Sequence, residues 1–124
     1  MLAPINVNAV PRANYNILWW DAVSGAYGYN VYRATMINES DLTLVKNIVT
    51  TDAGGKIDTA YLDTARNGVS VYRVASVDGS MVESLLSERA VAIKTNSMID
   101  NKEESIDRKL FQLGKSKLGE DILA

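Results

Sequence analysis

The 124-residue sequence contains no cysteine and no histidine. Their absence removes Cys/His zinc sites, thiol nucleophiles and every relay in which a histidine takes a proton from serine or cysteine. Without disulfides the chain must hold its fold by burial alone. An excess of one charge is missing as well: 13 Lys and Arg face 15 Asp and Glu, a formal net charge of -2. A phosphate-backbone binder needs a basic surplus for counterion release, so nucleic acid is not an expected partner. Eight basic and nine acidic residues precede Thr95, and five basic and six acidic follow it, so no tail of a single sign exists. Long apolar runs are absent too. The longest strongly apolar cluster, Ile17-Leu18-Trp19-Trp20, is far too short to cross a bilayer, and no membrane partner is expected. The opening Met1-Leu2-Ala3-Pro4-Ile5-Asn6 has neither a charged n-region nor an apolar h-region, so no secretory signal is expected. Asn38-Glu39-Ser40 matches a glycosylation sequon and is read as chance.

What is present is the composition of a globular chain, with 47% hydrophobic and 23% charged residues. Its length allows one core and an appendage. From Ile5 to Thr95 short runs rich in Val, Ile and Tyr are broken about every eight to twelve residues by Gly, Asn, Asp and Ser. That rhythm predicts an antiparallel sandwich with strands over Ile5 to Val10, Tyr15 to Trp20, Gly28 to Arg33, Thr43 to Val49, Lys56 to Leu62, Ser70 to Val77 and Arg89 to Thr95. Turns are expected at Ser24-Gly25-Ala26, Asp52-Ala53-Gly54-Gly55, Arg66-Asn67-Gly68 and Asp78-Gly79-Ser80. Successive side chains on a strand point opposite ways. Alternation therefore assigns Leu18, Trp20, Tyr29, Val31, Tyr72, Val74, Val91 and Ile93 to the interior. Each is worth roughly 1.5–3 kcal/mol when buried, enough for a small core without metal or disulfide.

Leu18 and Trp20, the stretch Gly28-Tyr29-Asn30-Val31-Tyr32-Arg33, Tyr61-Leu62-Asp63-Thr64, Val71-Tyr72-Arg73-Val74-Ala75-Ser76-Val77-Asp78 and Glu83-Ser84 together resemble a fibronectin type III domain over Pro4 to Thr95. The resemblance implies an all-β, fibronectin type III-like antiparallel sandwich of about seven strands. Ser70 stands where family members place a corner tyrosine, two positions before Tyr72. Ala65-Arg66-Asn67-Gly68 stands for their Leu-x-Pro-Gly lead-in. The loop before Ser70 is therefore expected to be looser than in relatives.

After Thr95 the period changes. Ile99, Ile106, Leu110 and Leu113 fall on one helical face, Asp100 and Glu103 form an N-cap pair, Glu104 and Arg108 an i,i+4 pair, and Gly114 offers a stop. A helix is predicted over Asn101 to Leu113, followed by a second apolar group at Leu118, Ile122 and Leu123. The chain thus reads as a sandwich over residues 1–95 and a C-terminal helical arm over 96–124.

No catalytic, cofactor-binding or metal-ligating constellation emerges from the sequence. Gly114-Lys115-Ser116 lacks the glycine a phosphate loop needs at the position held by Lys109, and Gly54-Gly55-Lys56 precedes no helix; a helix cap and a β-turn account for them. A carboxylate pair needs a cleft that a small sandwich does not form, and no alternating Asp string for calcium occurs. There is no Arg-Gly-Asp triplet, and the Asp78 to Ser84 connection reads as a solvated turn. Trp19, next to an inward Trp20, should face outward and serve as an interface anchor or a platform for sugar, unless the N-terminal strand or the tail covers it. Tyr32 should also point outward. With Ile106, Leu110, Phe111, Leu113 and Leu118 of the arm, Trp19 makes up the expected partner-binding set.

These features predict a protein that binds rather than catalyses. An amphipathic arm on a complete sandwich suggests docking on other protein subunits of a larger, multicopy assembly. Resemblance to fibronectin type III members found in bacteriophage virions implies a head, neck or tail component. The alternative is a spacer or carbohydrate-associated module of a bacterial extracellular hydrolase, in which Trp19 and Tyr32 meet sugar.

Overall fold

Val-, Ile- and Tyr-rich runs separated by Gly and Asn turns become seven strands in the computed structural model, which describes residues 1–49, 57–64 and 67–95. They are β1 (Asn8–Pro11), β2 (Asn16–Trp19), β3 (Gly28–Ala34), β4 (Thr43–Val49), β5 (Ala60–Asp63), β6 (Gly68–Val77) and β7 (Ala90–Lys94). Two antiparallel sheets result, one ordered β1-β2-β5 and the other β4-β3-β6-β7. The expected strands are all present. The first is displaced toward Pro11 and the fifth begins later than expected, while the sixth starts two residues earlier, at Gly68. Among the described residues no helix is long and apolar enough to cross a membrane.

Two glycines are needed where they stand. Gly25 adopts φ 82° in the turn closed by the Ala26 N–H donating to the Val23 carbonyl at 3.1 Å, a conformation that side chains disfavour. At Gly28, where β3 meets β4, a Cβ would lie 2.3 Å from the Ile48 carbonyl oxygen, so no side chain fits.

The interior lies between the sheets. Leu18, Trp20, Tyr29, Val31, Ile48, Tyr72, Val74 and Ala92 form one cluster, with Val7, Ala9 and Tyr61 packed on its edge. Trp20 meets Tyr29 edge-on with ring centroids 5.4 Å apart, and the Tyr29 hydroxyl accepts from the Val23 N–H at 2.8 Å.

Val91 and Ile93 do not face inward; they are 37% and 57% exposed. Directly paired residues of an antiparallel ladder share a face. The register sets Ala90 opposite Tyr72 and Ala92 opposite Ser70, and the inward Tyr72 takes both alanines with it. Val91 and Ile93 pair with Val71 and Val69 on the outer face. The large ring of Tyr72 occupies the interior at this edge, and small side chains sit beside it.

Candidate functional site

The arm residues expected to bind a partner, Ile106, Leu110, Phe111, Leu113 and Leu118, lie outside the described residues, as does the predicted helix. Trp19 is described, and its position corrects the expectation of an open anchor. It is only 6% exposed and packs with Tyr15, Ile17 and Ala60. Alternation does turn it away from Leu18 and Trp20, toward the outer face of the three-stranded sheet. That face is an apolar layer of its own, with Val10 and Leu62 flanking Ile17 in the register. Neither tryptophan offers a free ring to a sugar.

The outer face of the larger sheet is polar along its middle. Tyr32 points out, as alternation requires, but its hydroxyl donates to Glu83 Oε2 at 2.6 Å, and Asn30 donates to the same oxygen at 3.1 Å. Burial first, then the Glu83 hydrogen bond and charge, push the Tyr32 phenol up to about 12. In the neighbouring row Arg73 holds Glu39 through Nε and Nη2, with Nη1 donating to the Ser87 carbonyl at 2.8 Å. Arg89 lies 3.9 Å from the same carboxylate. The Arg73 hydrogen bond holds the Glu39 carboxyl below its ordinary range. On this face Glu39 is paired with cations, whereas Glu83 is held by the neutral Tyr32 and Asn30 side chains.

The most concentrated polar chemistry lies at one end of the sandwich. Arg33 Nη1 donates to both oxygens of Asp63 at 2.8 and 2.7 Å, and the Asp63 side chain is nearly sequestered from solvent. The Tyr72 hydroxyl donates to Asp63 Oδ2 at 2.6 Å and accepts from Asn16 Nδ2 at 2.8 Å. Desolvation, followed by the Asp63 hydrogen bond, raises the Tyr72 phenol far above its ordinary value. Four strands, β2, β3, β5 and β6, are thereby tied through the Asp63 carboxylate and the Tyr72 hydroxyl. A phenol held firmly protonated by burial is a poor acid-base catalyst, because it does not exchange its proton near neutral pH. The knot ties the two sheets together, with Ser70 hydrogen-bonded to the same Tyr72 side chain. A concavity of about 340 Å³ opens beside it, lined by Arg33, Thr35, Thr64, Asn67, Gly68, Val69 and Ser70. Among the described residues no group of three or more Asp and Glu side chains is placed to hold a metal ion.

Sequence reasoning missed this knot because Arg33 and Asp63 are 30 residues apart and no local spacing pairs them. The one available sign was Arg33 at an inward phase of β3, opposite Tyr72 in the register.

No protein-family model matches the sequence, nor does any curated protein sequence. Solved structures do. An Fn3-like protein from Clostridium thermocellum is 28% identical, with 77% of this chain and 94% of that chain covered at a TM-score of 0.61. A β-1,2-glucanase from Parabacteroides distasonis is 16% identical at a TM-score of 0.61, with 87% of this chain aligned to 15% of the enzyme. The third fibronectin III domain of a human protein is 18% identical, covering 81% of this chain and 88% of that one at a TM-score of 0.52. Seven strands in β1-β2-β5 and β4-β3-β6-β7 order, the buried Trp20 and these neighbours together establish that the chain has a fibronectin type III fold.

Proposed function

We propose that the chain acts as a non-catalytic spacer module of a bacterial polysaccharide-processing protein or assembly, holding its neighbours apart and oriented rather than gripping sugar itself. The observation that carries this reading is the burial of both tryptophans, which leaves neither indole ring open to stack on a sugar. Occurrence of the same fold as a small part of a bacterial β-1,2-glucanase supports the setting. Docking on virion subunits rests on the sequence resemblance and on the apolar arm residues Ile106, Leu110, Phe111, Leu113 and Leu118, with the now covered Trp19. Neither the fold nor its structural neighbours adds support to it.

The test is direct. Incubated with insoluble polysaccharides and with soluble β-1,2-glucan, the protein stays in the supernatant, its tryptophan emission is unchanged and no reducing ends appear. Saturable retention on a polysaccharide, or turnover of one, overturns the spacer reading.

A further inference from the structure

The outer face of the three-stranded sheet poses a geometric problem. Tyr15, Ile17 and Trp19 are 1%, 0% and 6% exposed, although they point away from the sandwich interior. Their apolar neighbours, Ala60, Val10 and Leu62, all belong to the same sheet. Side chains standing on one pleated face shield each other sideways but leave their tips open, so full burial requires a second layer about 10 Å above the sheet.

The chain itself limits what that layer is. Met1, Leu2 and Ile5 are exposed, and the N-terminal segment lies elsewhere, with the Leu2 carbonyl accepting from the Ser76 hydroxyl and residues 3–7 beside Leu86 to Arg89. Residues 50–56 and 65–66 hold no apolar side chain larger than alanine. The segment after Thr95 is different, since it carries Ile99, Ile106, Leu110 and Leu113 at helical spacing. It also starts in the right place. β7 runs along β1 at the sandwich edge and passes from Ala90, level with Tyr72 and hence with Asn16, toward Lys94. Lys94 therefore lies at the end of the sandwich where β2 begins beside Tyr15. Four residues from Thr95 to Ile99 reach about 13–14 Å when extended. Strands are spaced about 4.8 Å apart, so this spans β1 and arrives over β2. As a helix, Ile99 to Leu113 is about 21 Å long, enough to cross a face three strands wide.

We propose that the outer face of β1-β2-β5 is the docking surface for this chain's own C-terminal segment, with Ile99, Ile106, Leu110 and Leu113 seated over Tyr15, Ile17 and Trp19. The arm is then consumed within its own molecule instead of reaching a neighbouring subunit, and the outward tryptophan and the apolar stripe explain one another.

The absence of cysteine makes the test clean. In the full-length chain Val10→Cys is combined in turn with Ile106→Cys, Leu110→Cys and Leu113→Cys, then treated with a short bismaleimide. At least one pair gives a crosslinked monomer whose yield does not change with protein concentration. Leu44→Cys, on the outer face of the opposite sheet, gives none with the same partners. A concentration-dependent dimer, no crosslink at any stripe position, or equal yield with Leu44→Cys overturns the proposal. A second measurement uses the full chain carrying Trp20→Phe, so that Trp19 alone reports. Adding Ile106→Asp and Leu110→Asp raises the acrylamide quenching constant about twofold or more as the covering layer opens. An unchanged constant overturns the proposal as well. Neither readout depends on polysaccharide, so the spacer reading stands or falls separately.

Discussion

Tyr72 shows how much one side chain decides in this fold. Its ring fills the interior beside Ala90, and its hydroxyl joins Asp63 to Asn16. Replacing it with Phe keeps the ring but strands two buried polar groups, a loss of about 1–3 kcal/mol read as a lower urea midpoint. The same substitution changes the response to base. The folded phenol has a pKa raised above the ordinary 10.0, so its contribution is fully present below pH 10 and is lost as pH climbs through the raised value. Unfolding free energies measured from about pH 9 to about pH 11 should therefore fall less steeply for Tyr72→Phe than for the parent chain. Arg33 is the other half of the knot. Arg33→Leu leaves the Asp63 carboxylate sequestered without its cation and is expected to cost about 3 kcal/mol, the lower end for breaking a buried pair because the guanidinium is partly solvated. A urea midpoint equal to that of the parent would show that water replaces the arginine.

At the scale of elements, pairing register overrides the size of the side chains. β7 reads as Val and Ile inward when judged by bulk, yet the ladder with β6 puts alanines inside. Ala92→Leu should then overpack the interior and destabilise by about 1–3 kcal/mol, whereas Ile93→Thr, on the outer face, changes stability by less than about 0.5 kcal/mol. Thermal melts of the two variants separate these outcomes. The β3–β4 pair has a comparable constraint at Gly28, where alanine must push the Ile48 backbone aside. Gly28→Ala should lower the melting temperature of the whole sandwich rather than fray one edge, because β3 lies in the middle of its sheet. β2 is the element whose reading was most incomplete. Ile17-Leu18-Trp19-Trp20 is apolar without alternation, the pattern of a strand buried on both faces. One face meets the sandwich interior and the other the outer cluster, which is why Trp19 is not an open anchor.

At the scale of the whole molecule, the polar side chains of the described residues engage one another. The sequestered Asp63 carboxylate is clamped by Arg33, Glu39 and Glu83 bond to neighbouring side chains, and both tryptophans are covered. The spacer reading and the seating of the arm together imply a monomer in solution. Sedimentation or light scattering across a wide concentration range checks this, and self-association that grows with concentration would contradict it.

Much of this was legible from one dimension because it depends on local physics. Period-two alternation, β-branched composition and Gly and Asn breaks are properties of neighbouring residues, so seven strands, their order and the inward Leu18, Trp20, Tyr29, Val31, Tyr72 and Val74 could be read directly. Three things needed the third dimension. The phase of β7 was set by its ladder partner, the Arg33–Asp63–Tyr72–Asn16 knot by strands distant in sequence, and the surroundings of Trp19 by its packing with Ala60 of β5. In each case the deciding contact joins residues far apart along the chain, where spacing carries no information and only packing determines which side chains meet.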